Sequence, residues 1–147
     1  MTNATKKPGG WSAVRQQLST WEKPALLALL KDLYEAAGGN RDFIHARSKA
    51  GECSGKVLEK YRGKIVEQFF PARGVGKLKL GEARKAIRDY HKATGNLAGT
   101  AELLMTYVEN GTRFTREYGD IDERFYSSLE SALDELAALL RGEAQGM

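Results

Sequence analysis

Cysteine occurs once in the chain, at Cys53. A lone thiol closes no internal disulfide, and a reducing compartment suits it. Histidine is nearly as scarce. His45 and His91 together with Cys53 cannot complete a four-ligand zinc site within one chain. The three prolines sit where a helix is expected to be absent, starting or ending: Pro8 in a glycine-containing tail, Pro24 near a helix start and Pro71 after a helix. Long apolar runs are missing too. The longest, Pro24 to Leu30, is far short of the roughly 20 residues that cross a bilayer. Met1 to Gly10 carries Lys6 and Lys7 with no apolar stretch behind them, so no signal peptide is expected and a cytoplasmic setting is. The Asn-x-Thr triplets at Asn3 and Asn110 then carry no meaning as glycosylation sites. No strand-length alternation of apolar and polar residues occurs, which argues against a half-buried sheet.

What remains is an ordinary globular composition, 41% hydrophobic and 29% charged over 147 residues. A chain of that length buries roughly two-thirds of its unfolded surface without metal or disulfide. Residues 1–10 are expected to be a disordered tail and residues 11–147 a single helical domain. Trp11, Val14 and Leu18 share one helix face. Ser19-Thr20-Trp21-Glu22 fits a capping box for the next helix, whose stripe of Leu26, Leu27, Leu29, Leu30, Leu33 and Tyr34 should stop at Gly38-Gly39. Asn40 is expected to cap a short helix over 41–47, with Asp42 in its first turn, Phe43 inward and Arg41 left to anchor a neighbouring helix end or a partner. Ser54 should cap a helix carrying Val57, Leu58, Tyr61, Ile65, Val66 and Phe69. A further helix from about Leu80 to Ala93 places Ala83, Ala86, Ile87 and Tyr90 inward, and Asn96 caps the next. That helix carries Leu97, Ala101, Leu104, Met105 and Val108, with a break expected at Gly111 before Phe114 and Tyr118. Asp120 is expected to cap the last helix, with Phe125, Leu129, Leu133, Leu136 and Leu140 on one stripe. The expected fold is an all-α antiparallel bundle of about six to seven helices.

Charge is unevenly distributed along this pattern. Residues 1–55 carry net +3, residues 56–92 net +7 and residues 93–147 net −6. Two readings follow: the basic and acidic parts meet each other, within or between molecules, or the basic part meets an external polyanion. Arg73, Lys77 and Lys79 lie in a connecting loop, and Arg84, Lys85, Arg88 and Lys92 on the following helix. Arg84, Arg88 and Lys92 recur every four residues, so they form a row that could neutralise several phosphates. The bland alternative is a solvated face paired with the chain's own acidic helices.

Other constellations are incomplete. Gly74-Val75-Gly76-Lys77 lacks the first glycine and the Ser/Thr of a phosphate-binding loop, where the chain has Pro71 and Leu78, so an interhelical turn is expected. Asp42 and His45 lie three apart and Cys53 is a conceivable nucleophile, yet a surface ion pair explains the same spacing. Glu117, Asp120, Asp122 and Glu123 surround a helix start, where negative charge is favoured by the dipole, and lack calcium-loop spacing. No cofactor site and no catalytic set emerges.

Leu18-Ser19, Leu29-Leu30-Lys31-Asp32-Leu33-Tyr34 and Asn40-Arg41-Asp42-Phe43 in the first half, with Tyr118-Gly119-Asp120-Ile121, Phe125-Tyr126 and Ser128-Leu129 near the end, form a pattern that covers most of the chain. In it the chain resembles a family of uncharacterised small all-helical bacterial proteins, a domain of unknown function. The resemblance implies a helical fold and brings no catalytic residue with it. The expectation is a non-enzymatic helical interaction protein that binds a protein partner or itself. The alternative is a nucleic-acid-binding accessory protein using the basic loop and helix over 73–92.

Overall fold

A computed structural model describes residues 9–48 and 54–142. Most of the expected tail, the Asn3 triplet and Cys53 lie outside the described residues. Among those described the structure is all-α: α1 (Trp11–Leu18), α2 (Lys23–Ala36), α3 (Gly38–Ser48), α4 (Ser54–Val66), α5 (Leu80–Thr94), α6 (Leu97–Tyr118) and α7 (Glu123–Leu140). They fall into two compact units divided between Asp42 and Phe43, inside α3.

The first unit, up to Asp42, contains α1 and α2, neither of which has a buried residue. Its helix boundaries differ from the expected capping box. The Ser19 hydroxyl donates to the Arg15 carbonyl at 2.7 Å and the Thr20 hydroxyl to the Gln17 carbonyl at 2.8 Å. Both therefore serve the orphan carbonyls at the end of α1, and Glu22 is the extended residue before α2, with Pro24 in its first turn. Gly38 and Gly39 do not form a loop. Ala37 alone is extended, and α3 begins at Gly38. Asn40 consequently lies within α3 rather than capping it, and its Nδ2 donates to the Leu33 carbonyl at 2.8 Å in the last turn of α2.

The second unit, from Phe43, is the bundle. α6 packs on α4, α5 and α7, and α4 also packs on α5. Tyr61, Ile65 and Phe69 come from α4 and the turn after it, and Ala83, Ala86, Ile87, Tyr90 and Ala93 from α5. Leu103, Leu104, Tyr107 and Phe114 of α6, Phe125, Leu129, Ala132 and Leu136 of α7, and Ala46 of α3 complete the core. The inward face expected for α5 is thus buried. Gly95 ends α5 in the left-handed region (φ 66°), and the Asn96 side chain accepts from Gly99 N–H at 2.9 Å to start α6. Met105, Tyr118, Leu133 and Leu140, expected on inward stripes, are exposed.

Two expectations at α6 and α7 change for packing reasons. Gly111 does not break α6, which is continuous over 22 residues. A Cβ there would lie 2.5 Å from Leu129 Cδ2, so a larger residue would force the Leu129 side chain of α7 to move. The cap of α7 is Asp122, accepting from Phe125 N–H at 2.9 Å, while Asp120 instead accepts from the Tyr126 hydroxyl at 3.0 Å.

Gly99 is the second tight site on α6, because a methyl group would overlap the Tyr90 hydroxyl and ring. Gly99→Ala should lower stability by about 1–3 kcal/mol through overpacking. Gly63→Ala, in α4 with open space where its Cβ would stand, should raise stability by about 0.5–1 kcal/mol. Urea denaturation of both variants measures the difference, and equal effects would contradict this packing.

Candidate interaction surfaces

The row on α5 does not act as one surface. Arg84 turns toward the bundle: it donates to the Ser128 carbonyl at 3.3 Å and to the Glu135 carboxylate, and its guanidinium lies 5.6 Å from the centre of the Tyr107 ring. Its side chain is only 15% exposed. Burial raises the Tyr107 phenol above its ordinary range, opposed by its hydrogen bond with Ser128 and by the charge of Arg84. Lys85 pairs with Asp89 one turn away at 2.9 Å. Arg88 and Lys92 are exposed on the outer face. The Lys92 carbonyl, with that of Ala93, accepts from Arg47, which thereby caps the C-terminal end of α5 at 3.0 Å.

Sequence spacing gives no sign of Arg47 in that role, nor of Arg62. Arg62 donates to Glu59 at 3.1 Å, to Glu102 at 3.0 Å and to the Thr106 hydroxyl at 2.7 Å, fastening α4 to α6. The hydrogen bond to Glu102, opposed by partial desolvation and helped by the one to Glu59, holds its guanidinium even more firmly protonated than usual. Arg62–Glu102 and Arg84–Glu135 both join the basic segment to the acidic one. Part of the charge polarity is therefore satisfied inside the bundle.

The connection between α4 and α5 has a defined path. Its chain folds back on the end of α4, where Leu78 N–H donates to the Gln68 carbonyl at 2.9 Å and Lys79 N–H to Gln68 Oε1 at 3.2 Å. Gly74 (φ 74°) and Leu78 (φ 52°) make the reversals. Gly76 lies so close to the Gln68 and Phe69 carbonyls that a Cβ would overlap them. Arg73, Lys77 and Lys79 line a pocket of about 380 Å³ together with Glu67, Gln68, Pro71 and Val75.

His91 and Thr100 line a smaller pocket of about 230 Å³ with Leu104 and Glu135. Thr100 Oγ1 donates to the Asn96 carbonyl at 2.8 Å and lies 3.3 Å from His91 Nδ1. Which of the two donates across the His91–Thr100 contact follows from the histidine tautomer. The acids near the α7 start have local tasks: besides Asp120 and Asp122, Glu117 lies 3.6 Å from Arg113.

In the first unit, Arg41 places its guanidinium 5.5 Å from the Tyr34 ring centre, back on α2. The larger feature there is apolar. Trp11 is 68% exposed and Leu27 55%, and Val14, Trp21, Leu30 and Leu33 are exposed with them. Val14, Leu18 and Trp21 line a concavity of about 390 Å³ beside α1.

Arg84→Ala should destabilise the bundle by about 1–3 kcal/mol, since it leaves the Ser128 carbonyl and Glu135 without their charged donor. Arg88→Ala, four residues on, should change stability by less than about 0.5 kcal/mol. Thermal melts of the two variants decide this, and equal melting temperatures would refute the division of the row. Comparisons with protein-family models, curated proteins and solved structures give no match to the chain.

Proposed function

We propose that the chain is a non-enzymatic interaction protein that pairs with a second copy of itself through α1 and α2. The supporting observation is that this helical arm has six exposed large apolar side chains and not one buried residue. An eight-residue helix such as α1 is marginal in water without tertiary packing. The six side chains expose on the order of 600 Å² of apolar surface, at the upper end of what a monomer leaves open. Two such faces brought together remove about 1,200 Å² from water, the lower limit of a specific interface.

The choice of a second copy rests on charge and spacing. Residues 9–42 carry Arg15, Lys23, Lys31 and Arg41 against Glu22, Asp32, Glu35 and Asp42, so the arm is neutral and two copies meet without net repulsion. Leu27, Leu30 and Leu33 recur every three residues, which gathers the exposed leucines on one side of α2. Nucleic-acid binding along the α5 row is the weaker reading, because Arg84 is spent on Glu135. Membership of the uncharacterised helical family is proposed on the motif residues above, and a cytoplasmic setting on the lone cysteine. Neither adds an activity.

Light scattering of the 147-residue chain during size exclusion tests the pairing up to about 100 µM. The mass of two chains is expected at high concentration in both low and high salt, because the contact is apolar. Replacing Leu27, Leu30 and Leu33 with glutamine should give a monomer that keeps the helicity of the bundle. A monomer at every concentration, or a dimer that survives the triple replacement, overturns the proposal.

A further inference from the structure

We infer that the pocket between the end of α4 and the loop before α5 holds a phosphate group of an anionic ligand. Three cations, Arg73, Lys77 and Lys79, and one carboxylate, Glu67, line a space of about 380 Å³. That volume lies within the range of about 300–1,000 Å³ that small-molecule sites occupy. The cations are not a solvated run on a regular helix. They are placed by a chain segment fastened to Gln68 through two hydrogen bonds and pressed against the backbone at Gly76. An ion pair with Glu67 could satisfy at most one of them, which leaves an excess of positive charge where a phosphate oxygen would sit.

The remaining lining fits a ligand that is more than a free ion. Pro71 and Val75 offer apolar contact, and Val75 is itself exposed. Gln68 also lines the pocket, its Oε1 taken by Lys79 N–H, and its amide NH2 can only donate. Cationic, donor and apolar groups on one concave surface suit a phosphate attached to an organic body. A nucleotide and a nucleic-acid strand share that chemistry. None of its lining residues belongs to the self-pairing surface proposed for α1 and α2, so the two proposals are tested independently.

The test titrates the full-length chain at low salt with two probes: pyrophosphate by calorimetry and a fluorescein-labelled single-stranded oligonucleotide by anisotropy. Four proteins are compared: wild type, R73A/K77A/K79A, the surface control R88A/K92A, and Glu67→Gln. The loop triple should weaken binding at least about tenfold, because three charge-assisted contacts go. The control should stay within about twofold, since net charge alone is a long-range and screened effect. Glu67→Gln should tighten binding, a gain that misfolding cannot produce. Saturable pyrophosphate binding at one site assigns the phosphate to a small ligand. Oligonucleotide binding with a log–log salt slope of about −2, lost in the loop triple, assigns it to a strand. No binding of either probe, equal losses in the triple and the control, or weaker binding by Glu67→Gln would overturn the inference.

Discussion

Phe69 meets Tyr107, Phe114 and Phe125 edge-on, at ring separations of 5.7, 6.3 and 6.3 Å, and so joins the end of α4 to both α6 and α7. Its side chain is fully buried. Its own carbonyl is the backbone that Gly76 presses against, and the preceding residue, Gln68, receives the two hydrogen bonds that hold the loop. The aromatic cluster and the basic loop therefore share one anchor. Edge-on aromatic contacts add about 0.5–1.5 kcal/mol each beyond the area they bury, so an error at Phe69 propagates in two directions. It loosens the seam of α4 with α6 and α7, and it releases the loop that carries Arg73, Lys77 and Lys79.

Around this core, arginines close the helix contacts while lysines mostly remain outside. Arg47 takes the last carbonyls of α5, Arg62 spans α4 and α6, and Arg84 spans α5 and α7. The planar fork of the guanidinium suits these multi-point contacts better than an ammonium does. Arg113, 4.2 Å from the Phe70 ring centre, extends the same use to an aromatic face. The basic segment is consequently not a uniform surface. Of its α5 part only Arg84 holds the bundle, Lys85 pairs within its own helix, and Arg88 and Lys92 stay outside.

Much of the helical order was legible in the residues. The Ala83, Ala86, Ile87 and Tyr90 face of α5, the break at Gly95-Asn96 and the Trp11–Leu18 helix follow from spacing and caps alone. What was not legible depends on contacts far apart in the chain or on choices between near-equal neighbours. Propensity places a break at Gly111, and only the arrival of Leu129 shows why a glycine is kept inside an unbroken helix. Asp120 and Asp122 both suit a cap, and the Tyr126 hydroxyl takes one of them out of contention. Ser19 faces orphan carbonyls behind it as well as orphan amides ahead, and the carbonyls win. Four-residue spacing groups Arg84 with Arg88 and Lys92, but Glu135, 51 residues away, removes it from the group. The apolar arm was visible as a leucine stripe, though its lack of a buried residue was not, because a stripe does not reveal what covers it.

We propose that the bundle is complete by itself whereas α1 and α2 are completed by a second copy. Hydrogen exchange of the backbone amides at two protein concentrations reads both halves of this proposal in one experiment. The amides of α6 should be strongly protected at either concentration, and those of α1 and α2 should become slower to exchange as concentration rises. Arm amides that exchange at one rate regardless of concentration would contradict it.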